Sequence, residues 1–140
     1  MDELAGRVAV VTGGASGIGY ALAAAAAARG LHVVLSDVRA DPLSAACAEL
    51  RASGAAVTEV VADVSLAADI DRLAQTALAA GSVQLVCSNA GIVTVGRAWE
   101  LSAADWERVM NINFMATVHL VRVFVPALRS EEHTSELQSQ

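Results

Sequence analysis

At 140 residues, 55% of them hydrophobic, the chain is long enough to bury a core and too short for two ordinary domains. A net charge of −6 and the lack of any lysine leave nine scattered arginines as the fixed cations, which argues against a nucleic-acid partner. Cys47 and Cys87 are too few for a disulfide framework or a cysteine metal site, so both are expected as buried thiols and no metal is expected.

The start, Met1-Asp2-Glu3, lacks the positive charge of a secretory leader. Arg29, Asp37 and Arg39 interrupt the most hydrophobic region before it reaches the roughly 18 residues of a membrane span. A cytoplasmic protein without a membrane partner is therefore expected.

In chain order, Arg7 to Thr12 is a β-branched run ended by glycines, and Gly17 to Arg29 is mostly alanine, the strongest helix former. Gly30 closes that helix, and His32 to Ser36 reads as a second buried strand ending at Asp37. Asp41-Pro42 is expected to open the second helix with Asp41 as its cap, and Gly54 to end it. Ala56 to Val61 is the third strand. Ser65 is expected to cap a third helix whose Leu66, Ile70, Leu73 and Ala77 recur at spacings of three and four, and Gly81 ends it. Val83 to Cys87 is the fourth strand, Ser88 to Gly96 a loop, and Ser102 to about Leu128 a long apolar helical region.

Such alternation of apolar strands with helices predicts an α/β fold, a doubly wound parallel sheet in the order 3-2-1-4. The order reverses between the first and fourth strands. A crevice is expected there at the strands' carboxyl ends, with both Gly13–Gly19 and Asn89–Gly91 opening onto it.

The turn Thr12-Gly13-Gly14-Ala15-Ser16-Gly17-Ile18-Gly19 sits between a strand and a helix. Gly13 and Gly17 permit dihedrals and approach distances that a Cβ would block, and Gly19 lets the helix pack close to the strand. The helix start, with Ser16 and Ile18, would offer free N–H groups to a pyrophosphate. Asp37, 18 positions after Gly19, is placed to accept hydrogen bonds from the adenosine ribose hydroxyls. It favours NAD over NADP, because a 2′-phosphate about 4 Å away would be repelled by roughly 4 kcal/mol per pair of unit charges at an effective dielectric near 20. Arg39, two residues on, is expected as a solvated loop residue. The alternative is that it turns inward to neutralise a phosphate.

The spacing T-G-x-x-x-G-x-G resembles the short-chain dehydrogenase/reductase family, and further motifs in family order extend the resemblance over residues 5–128, about the first half of a typical member. It implies a Rossmann-like NAD(P)-binding domain over 1–128. Asp63 would then contact the adenine amino group, and the backbone N–H of Val64 the ring. Ser88-Asn89-Ala90-Gly91 is similar to the family's N-N-A-G motif with Ser at its first position. Asn89 would tie the fourth strand to its neighbours beneath the cofactor, with Ala90 and Gly91 giving backbone contacts. Asp105-Trp106 followed by Asn113 resembles the family's D-W-x-x-x-x-x-x-N segment, which assigns Asn113 the Asn of the catalytic tetrad. An Asn inside an apolar helix needs partners, which a kink and a bound water would supply. Asn111, nearly opposite, is expected to face solvent, and Ala116 stands where the family often has Gly.

By resemblance the activity is NAD(P)-dependent hydride transfer with an alcohol or carbonyl substrate, in a homodimer or homotetramer assembled through the long helix. The family's Tyr-x-x-x-Lys pair does not occur here, since the chain has no lysine and Tyr20, its one tyrosine, is expected as a packing residue. His32 and His119 are not expected in catalysis, and Trp99 and Trp106 are expected to cover the loop and helix start. Arg129 to Ser139 resembles the translation of a sequencing-library adapter, so 129–140 is expected as a non-native tail, disordered or a frayed helical extension. The chain would then be a fragment cut before the fifth strand, with an unpaired sheet edge and an uncovered helix face that favour self-association. The competing reading is a non-catalytic dinucleotide-binding module. The source gene's reading frame separates the two.

Overall fold

The computed structural model describes residues 3–138. The acidic start at Met1 and Asp2 and the tail residues Ser139 and Gln140 lie outside the described residues. Strands β1 (Val8–Val11), β2 (His32–Asp37), β3 (Val57–Val61) and β4 (Val83–Cys87) alternate with helices α1 (Gly17–Ala28), α2 (Ala40–Ala52) and α3 (Ala67–Ala80). Helix α4 (Ala103–Met110), a π-helical turn (Asn111–Met115) and α5 (Ala116–Gln138) follow β4. The sheet is parallel in the order β3-β2-β1-β4, as the alternation predicts.

Because strand side chains alternate between faces, β1 feeds two cores. Val8 and Val10 pack with Val34, Val60, Ile70 and Leu73 of α3, and Leu120 and Phe124 of α5. Ala9 and Val11 pack with Val33 and Leu35 against Ala23 and Ala26 of α1, and Leu43, Cys47 and Leu50 of α2. All four β1 residues are fully buried, which is why their sequence is uniformly apolar. Tyr20 packs against the second core, and the His32 ring meets the Thr58 hydroxyl at 2.8 Å between β2 and β3, so both have structural places. Helices α1 and α2 end in the same doubly bonded motif. Gly30 N–H reaches the Ala27 carbonyl and Leu31 N–H the Ala26 carbonyl, while Gly54 and Ala55 repeat the pattern on Arg51 and Leu50.

Two helix starts differ from expectation. Asp41 lies inside α2, whose N-cap is Arg39 without a side-chain capping bond. Ser65 does not cap α3 either. The N-cap is Leu66, while the Ser65 hydroxyl and N–H both donate to Asp63 Oδ1, at 2.6 and 2.9 Å. For Ser65 a turn partner, Asp63, takes the polar group that local spacing assigns to the helix, while Asp41 stays in the first turn of α2 as an acidic residue. Helix α4 keeps its predicted start, with Ser102 Oγ accepting from Asp105 N–H at 3.1 Å and Asp105 accepting from Ser102 N–H in return.

Four further expectations are corrected. Cys47 is buried, but Cys87 is only partly so, because β4 lies at the sheet's edge. Trp106 covers the loop, donating to the Ala98 carbonyl at 3.3 Å, whereas Trp99 is 80% exposed and meets only the Arg97 guanidinium among the aromatic contacts described. Asn111 is partly buried, since the π-helical turn shifts the register by which it would face solvent. The helical stretch Ala103–Ser130 is long and apolar enough to cross a membrane by length and composition. Its Ala116, Leu120 and Phe124 nevertheless pack on the sheet, as those of a core helix do.

Among the described residues β4 pairs with β1 alone, and Leu85, Met110, Phe114 and Val121 are exposed. An unpaired strand edge and an uncovered apolar helix face are thus both present. Helix α5 continues through Gln138, across the boundary drawn at residue 128.

Candidate functional site

The carboxyl ends of the strands surround a cavity of about 640 Å³. That lies within the range of roughly 300–1,000 Å³ usual for small-molecule and cofactor sites. Of the residues singled out from sequence, Gly13, Ser16, Asp37, Asp63, Val64, Asn89, Ala90 and Gly91 line it. They come from the β1–α1 turn, the end of β2, the turn after β3 and the loop after β4. The reversal of strand order brings these four segments to one place.

Gly17, Ile18, Gly19 and Asn113 are not on the cavity wall. Gly19 lies beneath it: a Cβ there would overlap the Gly13 carbonyl oxygen and come to 2.5 Å from Asn89 Nδ2, so α1 sits against the turn only because position 19 has no side chain. Gly17 has φ +59°, and a Cβ there would meet nothing within 4 Å. Its requirement is conformational, and the space beside it is open. Ile18 is 75% exposed. Ser16, the N-cap of α1, makes no side-chain bond to the helix, so the first N–H groups of α1 have no capping side chain.

A clamp holds the turn in place. Thr12, 1% exposed, donates to the Cys87 carbonyl and accepts through Oγ1 from the N–H groups of Asn89 and Ala90, at 3.1 and 3.2 Å. Asn89 Nδ2 donates to the carbonyls of Thr12 and Gly13, both at 3.1 Å. The expected tie from the fourth strand to the glycine turn is therefore present, but Thr12 shares it. Sequence reasoning assigned Thr12 no such role, because its partners lie more than 70 positions away. Gly14 was also missed. A Cβ there would run into the Leu35 side chain, a need that its pairing with Gly13 hints at.

Asp37 is 6% exposed and fully engaged. Oδ1 accepts from Arg39 N–H at 3.0 Å and Arg39 Nε at 3.2 Å; Oδ2 accepts from Ala15 N–H at 3.2 Å and Arg39 Nη2 at 3.3 Å. Arg39 is thus half exposed, as expected of a solvated loop residue, but it is not unengaged. Its guanidinium folds onto Asp37 and also donates to Ser16 Oγ at 3.1 Å, because Asp37 at the end of β2 faces the turn that Arg39 follows. Burial opposes ionisation of Asp37, yet the hydrogen bonds from the Arg39 side chain, Arg39 N–H and Ala15 N–H, with the guanidinium charge, outweigh it and hold the carboxyl below its usual range.

The sign of the pH dependence follows. A folded-state value below the unfolded one makes the ionised pair stabilising above about pH 4, and the contribution drains away as acid protonates Asp37. The stability difference between the wild type and Asp37→Asn in urea unfolding is expected to stay level between about pH 5 and 7, then shrink below about pH 4. A difference that grows on acidification would contradict this.

Asp63 serves the turn, with Oδ1 taken by Ser65 while its own N–H donates to Asp69 Oδ2 at 2.8 Å. It lines the cavity all the same, next to Val64, Arg108 and Ile112. Arg108 and Ile112, four apart on one helical face, are wall residues that no motif marked, as is Ile92 directly after Gly91. Asn113 grips that Ile92: its Oδ1 accepts from Ile92 N–H and its Nδ2 donates to the Ile92 carbonyl, both at 2.8 Å. The expected kink exists as the π-helical turn containing Asn113, a distortion frequent at functional sites. Asn113 also lines a smaller hollow of about 300 Å³ with Val93, Leu101 and Trp106. Among the described residues no three His, Cys, Asp or Glu side chains form a metal cluster.

Known proteins resemble this chain in sequence and fold. The 1-deoxy-11-beta-hydroxypentalenate dehydrogenase of Streptomyces avermitilis is 45% identical over 132 residues, 92% of this chain and 49% of the relative. A short-chain dehydrogenase/reductase from Burkholderia phymatum, solved in complex with NAD, is 44% identical with a TM-score of 0.89 over 94% of this chain and 47% of that one. L-Sorbose reductase from Gluconobacter frateurii, solved with NADPH and L-sorbose, is 33% identical with a TM-score of 0.87 over 94% of this chain and 51% of that one. The chain spans about half the length of the curated relatives it matches. With the short chain dehydrogenase model matching residues 7–135, the chain belongs to the short-chain dehydrogenase family.

Proposed function

We propose that this chain provides the dinucleotide-binding portion of an NAD(P)-dependent oxidoreductase that transfers hydride between a nicotinamide cofactor and a small alcohol or carbonyl substrate. One observation carries the reading: a cavity at the strand-order reversal joins the glycine turn, Asp37, Asp63-Val64 and Asn89-Ala90-Gly91 on one wall. The residues suit the cofactor. The open space beside Gly17 and the uncapped start of α1 suit a pyrophosphate. Asp37 would hold the adenosine ribose, Asp63 and Val64 the adenine, and Asn89 to Gly91 the region toward the second ribose. The cofactor supplies the hydride chemistry. Asn113 acts as a positioning residue, fixing Ile92 and with it the path of the loop past the cavity. The exposed Met110, Phe114 and Val121 support assembly as a homodimer or homotetramer through the long helix.

Asp37 makes NAD the preferred form. In calorimetric titration, Asp37→Ala is expected to weaken NAD binding by about tenfold, the worth of one charge-assisted hydrogen-bond pair, while NADP gains relative to NAD. An unchanged ratio would remove Asp37 from the ribose subsite, and a wild-type chain that takes up neither nucleotide would overturn the reading.

A further inference from the structure

We propose that Asp69, in the first turn of α3, is a positioning residue for base selection: it fixes the turn after β3 so that Asp63 offers an acceptor beside a Val64 donor, a pair that selects adenine. The inference deepens the dinucleotide reading of the cavity and rests on it.

The first argument is how the turn is pinned. An acidic side chain at the third position of a helix ordinarily accepts from the N–H of the N-cap residue. Asp69 holds that position in α3, whose N-cap is Leu66, yet its Oδ2 reaches three residues farther back and accepts from Asp63 N–H at 2.8 Å, a charge-assisted bond. Ser65 occupies Asp63 Oδ1 with its hydroxyl and its N–H. The backbone and the side chain of Asp63 are therefore held by different partners. Asp69 is braced in turn. Arg72 pairs with its Oδ1 at 3.7 Å and donates to the Val61 carbonyl at 2.6 Å, while Ile70 and Leu73, both fully buried, seat the helix on the sheet.

The second argument is what the pinning leaves over. Among the described residues, Asp63 Oδ2 and the Val64 N–H have no partner. They belong to adjacent residues of the cavity wall. One edge of adenine carries an amino donor beside a ring-nitrogen acceptor, which matches a carboxylate oxygen beside a backbone N–H. Hypoxanthine reverses both groups, with a carbonyl where adenine has the amino group and an N–H where adenine has the acceptor. A site built on such a pair rejects the reversed edge, because its own polar groups go unpaired. The selection needs the two groups at a fixed angle. Both extend from the backbone that the Asp69 bond holds, so Asp69 supplies that angle without touching the base.

The full chain should be titrated calorimetrically with NAD and with its hypoxanthine analogue, nicotinamide hypoxanthine dinucleotide. The wild type is expected to prefer NAD by about tenfold or more, the scale of one hydrogen bond to a charged group. In Asp69→Ala the preference should shrink to within about threefold, chiefly through weaker NAD binding. Asp69→Asn keeps an acceptor for the Asp63 N–H and should keep most of the preference. Asp69→Ser, whose hydroxyl falls short of that N–H, is expected to behave as alanine does and serves if the alanine chain does not fold. Asp71→Ala, which removes an exposed acid of the same helix, should leave the preference unchanged.

A merely structural role would weaken both nucleotides equally. A preference altered by less than about twofold in Asp69→Ala or Asp69→Ser, with the wild type preferring NAD, would overturn the inference and leave the cavity reading standing. A loss as large in Asp69→Asn would overturn it by assigning the effect to charge, and a loss as large in Asp71→Ala by assigning it to the helix as a whole. A wild type that binds both nucleotides equally would remove Asp63 and Val64 from the adenine subsite and the inference with them. If the wild type bound neither, the cavity reading would fall first.

Discussion

Gly19→Ala is expected to unseat α1 from the glycine turn and to abolish dinucleotide binding. The added methyl would overlap the Gly13 carbonyl oxygen and crowd Asn89 Nδ2, and neither can move aside freely. One is backbone, and the other is held by two hydrogen bonds to the same turn. Overpacking against fixed atoms costs about 1–3 kcal/mol and occasionally more, and the upper end is expected here. Gly17→Ala makes the informative contrast. Its methyl meets no protein atom, so the fold loses only the roughly 1–2 kcal/mol of a left-handed backbone conformation. Binding should nevertheless suffer, because the methyl enters the space assigned to the pyrophosphate. Thermal melts with NAD titration should show Gly19→Ala losing stability and binding together and Gly17→Ala losing mainly binding. Equal loss of stability in both would refute the assigned division of roles.

Thr12→Val has the second largest expected effect, although valine nearly matches threonine in shape and leaves no cavity. Its Oγ1 accepts from two backbone N–H groups, those of Asn89 and Ala90, at a residue only 1% exposed. Each unsatisfied buried donor costs about 1–3 kcal/mol, so the two together are expected to cost about 2–6 kcal/mol, read as a lower urea midpoint at unchanged slope. Thr12→Ser should recover most of it by restoring the oxygen. A Thr12→Val chain as stable as the wild type would mean that the loop after β4 is held by Asn89 alone.

The parts of the site that follow from backbone requirements were legible in the sequence. Gly13, Gly17 and Gly19 declare a turn whatever surrounds them, and apolar runs separated by helical segments declare the parallel sheet and its order. Asp37 was legible because it ends the second strand 18 positions after Gly19, and Asn89 because Ser88-Asn89-Ala90-Gly91 resembles a family motif. Sequence spacing misassigned Ser65 and Arg39 because a polar side chain near a helix start has several partners within reach. Which one it takes depends on neighbours that chain order does not bring together.

The sequence by itself determined the architecture, through hydrophobic periodicity and glycine placement, and it determined which segments gather at the reversal of strand order. Only the tertiary structure decided how the gathered groups share hydrogen bonds: Thr12 with Asn89 and Ala90, Asn113 with Ile92, and Asp37 with Arg39. Periodicity is a local property that burial reads directly. A hydrogen bond between residues 12 and 89 exists only because β1 and β4 lie side by side, and the Arg39 bridge to Ser16 only because β2 ends opposite the start of α1.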